Sequence, residues 1–140
     1  MVEEYITNSE SETKSLAKRL SRRFISGVIA LTGELGAGKT TFVQGFAEGL
    51  GIKEKIISPT FVLIRQHQIP DSPKTFFHID LYRLETIDAI KSLGLEELFN
   101  DLVLIEWAEK GQKLLPKNSV FIKFEKLADE QRKITVSSLS

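Results

Sequence analysis

The segment Gly33–Thr40 carries the most specific chemical signal in the sequence. It fits the pattern G-x-x-x-x-G-K-[S/T], which is typical of a phosphate-binding loop, without a mismatch. Glycines in such a loop let the backbone direct its N–H groups towards phosphate oxygens, and the positive end of the following helix adds to the attraction. We therefore expect Gly36, Ala37 and Gly38 to bind phosphate and Lys39 to reach the β- and γ-phosphates.

Two hydroxyl residues complete this loop. We expect the Thr40 hydroxyl to ligate Mg²⁺, as the Ser or Thr of this motif does, and Thr41 to contact the α-phosphate. The pattern N-K-x-D, which reads guanine in many GTPases, does not occur in the chain. The sequence therefore favours ATP or ADP, with Mg²⁺, over guanine nucleotides.

Two acidic residues end β-prone runs elsewhere in the chain. The metal ion at a phosphate-binding loop also needs an acidic ligand, which is commonly a carboxylate at the end of a neighbouring buried strand. Glu106 ends the apolar run 102–105, and Asp80 ends the run 76–79, which His78 interrupts. Glu106 is expected to hold Mg²⁺ through water or to polarise the attacking water, and Asp80 to be a direct or outer metal ligand. The competing interpretation of both is a solvent-exposed acid.

Two further residues are candidates because of their neighbours. Thr60 follows Ser58 and Pro59 in a turn after the helix of the loop, where switch-type NTPases use a Thr to sense the γ-phosphate and Mg²⁺. An ordinary turn hydroxyl fits equally well. Trp107 directly follows Glu106, so it belongs either to the core or beside the nucleotide.

Alternating helical and β-prone segments must position these residues. Apolar residues recur at helical spacing within 14–24 and 42–50, on either side of the short apolar run 28–31. Residues 84–100 predict a helix broken at Gly94, and residues 66–74 and 111–118 predict loops. Further strands are expected at 61–64, 75–82, 102–105, 119–125 and 133–137. This order predicts an α/β chain with a P-loop NTPase fold, a three-layer α/β/α arrangement with a mixed, mainly parallel central sheet and antiparallel hairpins.

Length and composition limit the classes of protein to which this chain can belong. The 140 residues suit one domain over 1–140, and 19 basic against 19 acidic residues argue against bulk electrostatic binding of nucleic acid. The absence of cysteine excludes a disulfide-linked partner, and His67 and His78 are expected to be structural or solvated. No apolar run is long enough to span a membrane, and the acidic N-terminus lacks the order of a signal peptide. A cytoplasmic location is expected.

Four blocks of the sequence together resemble one known family. They are G-E-L-G-A-G-K-T-T at 33–41, S-P-T-F at 58–61, H-I-D-L-Y-R-L at 78–84 and I-E-W at 105–107. Their identity, order and spacing resemble the bacterial TsaE (YjeE) family, the ATPase of tRNA threonylcarbamoyladenosine biosynthesis. The resemblance covers nearly the whole chain.

The resemblance implies a protein that binds ATP or ADP with Mg²⁺, hydrolyses ATP slowly on its own and acts with TsaD and TsaB. Those partners transfer the threonylcarbamoyl group to the adenosine beside the anticodon, and the ATP cycle would reset their assembly between turnovers. Contact with tRNA would then be indirect, through the complex.

The resemblance also implies roles for individual residues. Lys39 would hold phosphate, Thr40 and Glu106 would serve Mg²⁺, and Thr60 and Asp80 would complete the switch-like and metal surroundings. Trp107 would lie near the nucleotide, and the region around Ser9 would lie close to the adenine. An arginine near the last hairpin, here Arg132, would also lie near the nucleotide.

Two other functions remain open on the sequence. A small-molecule kinase on the same scaffold would need an acceptor pocket and a lid carrying arginines, but the lid-like stretch 66–74 contains no arginine. A non-hydrolysing switch, in which nucleotide occupancy alone changes partner binding, cannot be separated from slow hydrolysis by sequence.

Overall fold

A mixed seven-stranded sheet organises the chain in the computed structural model, which describes residues 1–33, 37–56 and 64–138. The sheet order is β1-β7-β6-β2-β5-β4-β3. The strands are β1 (Val2–Thr7), β2 (Gly27–Gly33), β3 (Ile64–Gln68), β4 (Thr75–Asp80), β5 (Leu102–Glu106), β6 (Val120–Lys126) and β7 (Arg132–Ser137). The helices are α1 (Glu10–Arg23), α2 (Lys39–Gly49) and α3 (Ile87–Lys91), with short 3₁₀ helices at Leu95–Leu98 and Ala108–Leu114.

Four parallel strands form the centre of this sheet, and antiparallel strands flank them. Strands β6, β2, β5 and β4 pair in parallel, whereas β3 pairs with β4, β7 with β6, and β1 with β7 in antiparallel fashion. The central strand β5 is buried along its whole length, as its continuous apolar run predicts. The predicted mixed, mainly parallel sheet with antiparallel hairpins is therefore confirmed.

Helices α1 and α2 cover one face of the sheet. The Ser9 hydroxyl caps α1 by accepting a hydrogen bond from the Glu12 N–H at 3.1 Å, and acidic residues in the first turn suit the helix dipole. The apolar stripe of α1 (Leu16, Ala17, Leu20) packs with that of α2 (Phe42, Val43, Phe46) in one buried cluster. This cluster sets the position of the amino end of α2.

The opposite face is covered by α3 and the two 3₁₀ helices, which share a second buried cluster with β4 and β5. Helices therefore lie on both faces of the sheet, as the three-layer prediction requires. Gly94 separates α3 from the following 3₁₀ helix with a left-handed backbone, so the predicted break is confirmed. None of the described helices is both long and apolar enough to cross a membrane.

Three local differences from the sequence analysis have physical causes. Strand β1 was not anticipated, because it becomes a strand by pairing with β7, at the far end of the chain. Strand β3 continues to Gln68, so the loop starts later than residue 66; His67 and Phe76 pair across the hairpin. Part of the expected loop 111–118 is 3₁₀ helix up to Leu114. Residues 61–63 of the expected strand 61–64 lie outside the described residues.

A close approach of backbones joins α1 to α2 at Gly45. A Cβ atom added there would lie 2.5 Å from the Lys14 carbonyl oxygen, far inside normal contact. We therefore expect Gly45→Ala to lower the free energy of unfolding by roughly 1–3 kcal/mol through overpacking, measured by urea denaturation. An unhindered glycine in a helix would give the opposite sign, because alanine favours helix by up to about 1 kcal/mol.

The neighbouring half-buried Gln44 provides the control. Gln44→Ala keeps a good helix former at the adjacent position and should leave the urea midpoint nearly unchanged. A Gly45→Ala variant that is as stable as the Gln44→Ala variant would show that the two helices can move apart freely.

Candidate functional site

The carboxyl ends of three parallel strands meet the amino end of α2. Gly33 ends β2, Asp80 ends β4 and Glu106 ends β5, while Lys39 starts α2. Ligands of open α/β sheets bind at this edge, where strand ends and helix amino ends converge. Gly33 has a φ of 130°, and a Cβ atom there would lie 2.4 Å from the Phe124 carbonyl oxygen, so only glycine fits where β2 passes β6.

One cavity of about 530 Å³ lies at this edge. Most of the residues predicted from sequence contribute to its wall: Ser9, Gly38, Lys39, Thr40, Thr41, Asp80, Glu106, Trp107 and Arg132. Ala37 is fully buried in the core cluster beneath α2. Gly36 and Thr60 lie outside the described residues.

Lys39 is buried at the floor of this cavity, with only 5% of its surface exposed. Its ammonium donates a hydrogen bond to the Gly33 carbonyl oxygen at 2.7 Å and lies 3.6 Å from the centre of the Trp107 ring. Burial lowers the pKa of Lys39, although the nearby carboxylates, Glu109 first, oppose that shift. The positive charge is thus held in place by a carbonyl, an aromatic face and acids.

Asp80 and Glu106 are neighbours on adjacent strands. They are register partners in the parallel pair β4–β5, and both are buried, with 7% and 3% exposure. The alternative of two solvent-exposed acids is therefore wrong. Burial raises the pKa of Asp80, and the Glu106 charge adds to the rise, while a hydrogen bond that the Tyr82 N–H donates to Asp80 Oδ1 at 2.9 Å opposes it.

Two residues that the sequence analysis did not assign to the site contact its members. His78 is fully buried, and its Nε2 lies 2.5 Å from Glu106 Oε2, so it is not solvated. Glu109 accepts a hydrogen bond from the Gly33 N–H at 3.2 Å. A signal for His78 existed, because residues i and i+2 of a strand share a face and His78 precedes Asp80 by two. No sequence pattern singled out Glu109.

Trp107 has an unusual backbone that aims its side chain at the site. Its φ of 58° and ψ of 39° are left-handed, which costs a non-glycine residue roughly 1–2 kcal/mol. This turn, directly after β5, brings the indole over Lys39, and the half-exposed Tyr82 ring packs against it with 5.1 Å between ring centres. Trp107 is therefore half-buried, lines the cavity wall and also packs against the second buried cluster.

Ser9 and Arg132 reach the cavity from segments outside the P-loop. Ser9 lies at the start of α1, where its hydroxyl already caps the helix. Arg132 starts β7, and its Nη1 donates hydrogen bonds to the carbonyl oxygens of Ala128 and Asp129 at 3.0 Å. Its Nε would lie 3.9 Å from a Cβ atom at Gly38, so the side chain passes beside the loop.

Oxygen donors in this cavity match the chemistry of Mg²⁺. Among the described residues, no three His, Cys, Asp or Glu side chains cluster in a way that would hold a metal by themselves. Mg²⁺ at nucleotide sites is held by one or two carboxylates together with phosphate oxygens and water. The Thr40 hydroxyl and the carboxylates of Asp80 and Glu106 line the same cavity and fit that set.

A parallel strand, the glycine-rich motif that follows it in the sequence and a helix that begins at a buried lysine together define a P-loop NTPase. The model of the family "Threonylcarbamoyl adenosine biosynthesis protein TsaE" matches residues 7–134. The chain belongs to the TsaE family.

Relatives of known sequence or structure agree with this placement. The tRNA threonylcarbamoyladenosine biosynthesis protein TsaE of Bacillus subtilis is 40% identical over 136 residues, which cover 95% of this chain and 84% of that protein. The protein of the same name from Treponema pallidum is 37% identical over 135 residues, 94% of this chain and 98% of that one. The crystal structure of Bacillus subtilis YdiB matches with a TM-score of 0.81 at 34% identity, covering 100% of this chain and 87% of that one.

The raised pKa of Asp80 predicts how the stability of the folded protein changes with pH. Between the ordinary value of 3.8 and the raised value, the folded protein binds more protons than the unfolded chain, so stability falls as pH rises through this window. At pH 7 the raised pKa of Asp80 therefore corresponds to a destabilising contribution to the ligand-free protein. We expect Asp80→Asn to raise the Tm at pH 7, as measured by calorimetry. The difference in Tm between the variant and the wild type should become smaller as the pH approaches 3.8.

Asp71→Asn is the matched control, because Asp71 is an exposed residue of the β3–β4 turn with a φ of 59°, which asparagine tolerates. It should leave the Tm unchanged at either pH. A lower Tm for Asp80→Asn at pH 7 would contradict the interpretation that burial of the charge dominates.

Proposed function

We propose that this chain is the ATP-binding and slowly ATP-hydrolysing component of the tRNA threonylcarbamoyladenosine machinery. It acts in the cytoplasm as one domain over 1–140, together with TsaD and TsaB, and supports their repeated turnover at the adenosine beside the anticodon. The observation that carries the proposal is the convergence of Lys39, Asp80 and Glu106, all buried, on one cavity at the amino end of α2. Membership of the TsaE family supports the pathway.

The phosphate chain of ATP or ADP would bind along the loop. Backbone N–H groups at Gly36, Ala37 and Gly38 would donate to phosphate oxygens at the positive end of α2. Lys39 would leave the Gly33 carbonyl oxygen and bind the β- and γ-phosphates, while Trp107 keeps the ammonium close to this position. Thr41 would contact the α-phosphate.

Thr40, Asp80 and Glu106 would hold Mg²⁺ beside the phosphates. When bound, the ion neutralises charge on the phosphoryl oxygens. The two buried carboxylates explain why a cation is favourable here, since Asp80 carries a charge that its surroundings disfavour. Glu106 would also orient or polarise the water that attacks the γ-phosphorus.

The remaining predicted residues would complete the nucleotide site. Ser9 would approach the adenine from the start of α1, and Arg132 would lie beside the loop from β7. Both line the cavity that Lys39 occupies, which supports these assignments. Thr60 would sense the γ-phosphate and Mg²⁺.

Dependence on partners explains slow hydrolysis by the isolated protein. Among the described residues that line the cavity, Arg132 is the only arginine, and its Nη1 is bonded to carbonyl oxygens of its own hairpin. A group from a partner would then complete the stabilisation of the transition state. The zero net charge agrees with indirect access to tRNA, because a partner can hold the RNA backbone.

The small-molecule kinase receives no support from the described loops. Within the described residues, the lid-like segment 66–74 joins β3 to β4 before Thr75, whereas the site lies at Asp80, at the other end of β4. Five residue steps of an extended strand separate Thr75 from Asp80 by about 17 Å.

Reconstitution of tRNA modification is the decisive test. With TsaD, TsaB, tRNA and the precursor of the threonylcarbamoyl group, we expect modification to continue over many cycles only when this protein and ATP are both present. Without either, product formation should stop after a single turnover. Equal product with and without the protein would refute the proposal, and a phosphorylated small molecule in the products would favour the kinase.

Glu106→Gln separates hydrolysis from simple switching. Loss of a general base should lower ATP hydrolysis by roughly 10²–10⁴-fold, measured by phosphate release, while ADP binding persists. Glu96→Gln, an exposed acid on the 3₁₀ helix Leu95–Leu98, is the control and should hydrolyse ATP normally. If Glu106→Gln still supports many modification cycles, nucleotide occupancy alone is sufficient and the chain is a non-hydrolysing switch.

A further inference from the structure

His78 is a fully buried histidine in the middle of β4, on the face of the sheet that carries the site. Side chains two residues apart in a strand share a face, so His78 lies beside Asp80. On the adjacent strand, Leu104 is its register partner and Glu106 lies two residues further along. The ring reaches Glu106, with 2.5 Å between Nε2 and Oε2.

The surroundings of the second ring nitrogen decide which nitrogen carries the proton. Nδ1 of His78 is buried and has no hydrogen-bond partner among the residues that the structure describes. A buried N–H without an acceptor is rarer in proteins than a buried acceptor without a donor. An Nε2–H tautomer leaves Nδ1 as an unpaired acceptor, whereas a ring protonated at Nδ1 would bury an unpaired donor. The favoured arrangement therefore has Nε2–H donating to the Glu106 carboxylate.

We propose that His78 is a positioning residue that holds one oxygen of Glu106 and thereby presents the other oxygen to the nucleotide cavity. The inference rests on the proposed function, because it gives Glu106 a defined orientation towards water or Mg²⁺. A hydrogen bond from the imidazole ring suits this task, because carboxylates that ligate metals are held in one orientation by hydrogen bonds from neighbouring groups.

His67 shows what a purely structural histidine looks like in the same part of the fold. It lies on β3, is 9% exposed and packs near the Phe76 ring at 6.3 Å between ring centres. Its Nδ1 lies 3.2 Å from Glu54, whose side chain is 65% exposed and does not line the nucleotide cavity. The two histidines thus share burial and face but differ in the carboxylate that they contact.

The first test reads the His78 proton directly in the full chain without metal or nucleotide. The chain has two histidines, so a nitrogen-15-labelled His67→Gln variant shows a single ring in long-range proton–nitrogen NMR spectra. We expect a proton on Nε2 and a changed Nε2 signal when Glu106→Gln is added. An Nε2 without a proton, or a ring signal insensitive to Glu106→Gln, would overturn the proposal.

The second test measures ADP affinity by calorimetry with and without Mg²⁺. His78→Leu should weaken the Mg²⁺-dependent affinity by roughly 10–100-fold, the usual effect of losing a residue that orients a metal ligand. ADP affinity without Mg²⁺ should change less than about twofold. His78→Gln places an amide donor at a similar reach and should restore most of the loss, while His67→Leu and His67→Gln should bind as the wild type does.

The outcomes separate this proposal from the proposed function. If His78→Leu weakens ADP binding equally with and without Mg²⁺, or if His67→Leu has the same effect, the role of His78 is only structural. If Mg²⁺ does not strengthen ADP binding by the wild-type chain, the proposed Mg²⁺ site fails instead, and the NMR experiment still decides whether His78 holds Glu106.

Discussion

The burial of an ammonium group and two carboxylates at one end of the sheet is the constraint on which this structure depends. Lys39, Asp80 and Glu106 are nearly inaccessible to water, so each charge needs partners supplied by the fold. The partners are a backbone carbonyl and an indole for Lys39, a backbone N–H for Asp80 and an imidazole for Glu106. Burial still lowers the pKa of Lys39 and raises the pKa of Asp80, so these partners do not fully offset the loss of water around the two charges. A phosphate chain with its cation would complement both signs of charge.

Close packing away from the site holds these buried charged groups in position. Helix α2 carries Lys39 at its first residue, and the same helix contacts α1 through Gly45 with almost no space between the backbones. Three phenylalanine rings, Phe42, Phe46 and Phe76, stack between α2 and the sheet. Because packed interiors deform little, this contact fixes the start of α2 relative to the ends of β4 and β5. The left-handed turn at Trp107 is tolerated on the same rigid edge.

Much of the fold followed from local patterns. The apolar runs of β2 and β5, the helix stripes and the turn residues at Gly94 and before Thr75 each indicate one kind of element. Strand β1 could not be predicted in this way, since its alternation of exposed and half-buried residues depends on its pairing with β7, more than 120 residues away in the chain. The 3₁₀ helix after Trp107 could not be predicted from the sequence either, because a short helix has a weak sequence signal.

For the site, residue types and their spacing predicted a phosphate loop, two acids and a neighbouring tryptophan, because loop motifs and strand ends are local features of the sequence. The partners that those groups contact depend on how distant segments pack together. The pairing of His78 with Glu106 and the position of Trp107 over Lys39 require the register between β4 and β5 and the turn after β5. His78 and Glu106 are 28 positions apart in the sequence, and Lys39 and Trp107 are 68 positions apart. No local sequence pattern specifies contacts between side chains so far apart in the chain.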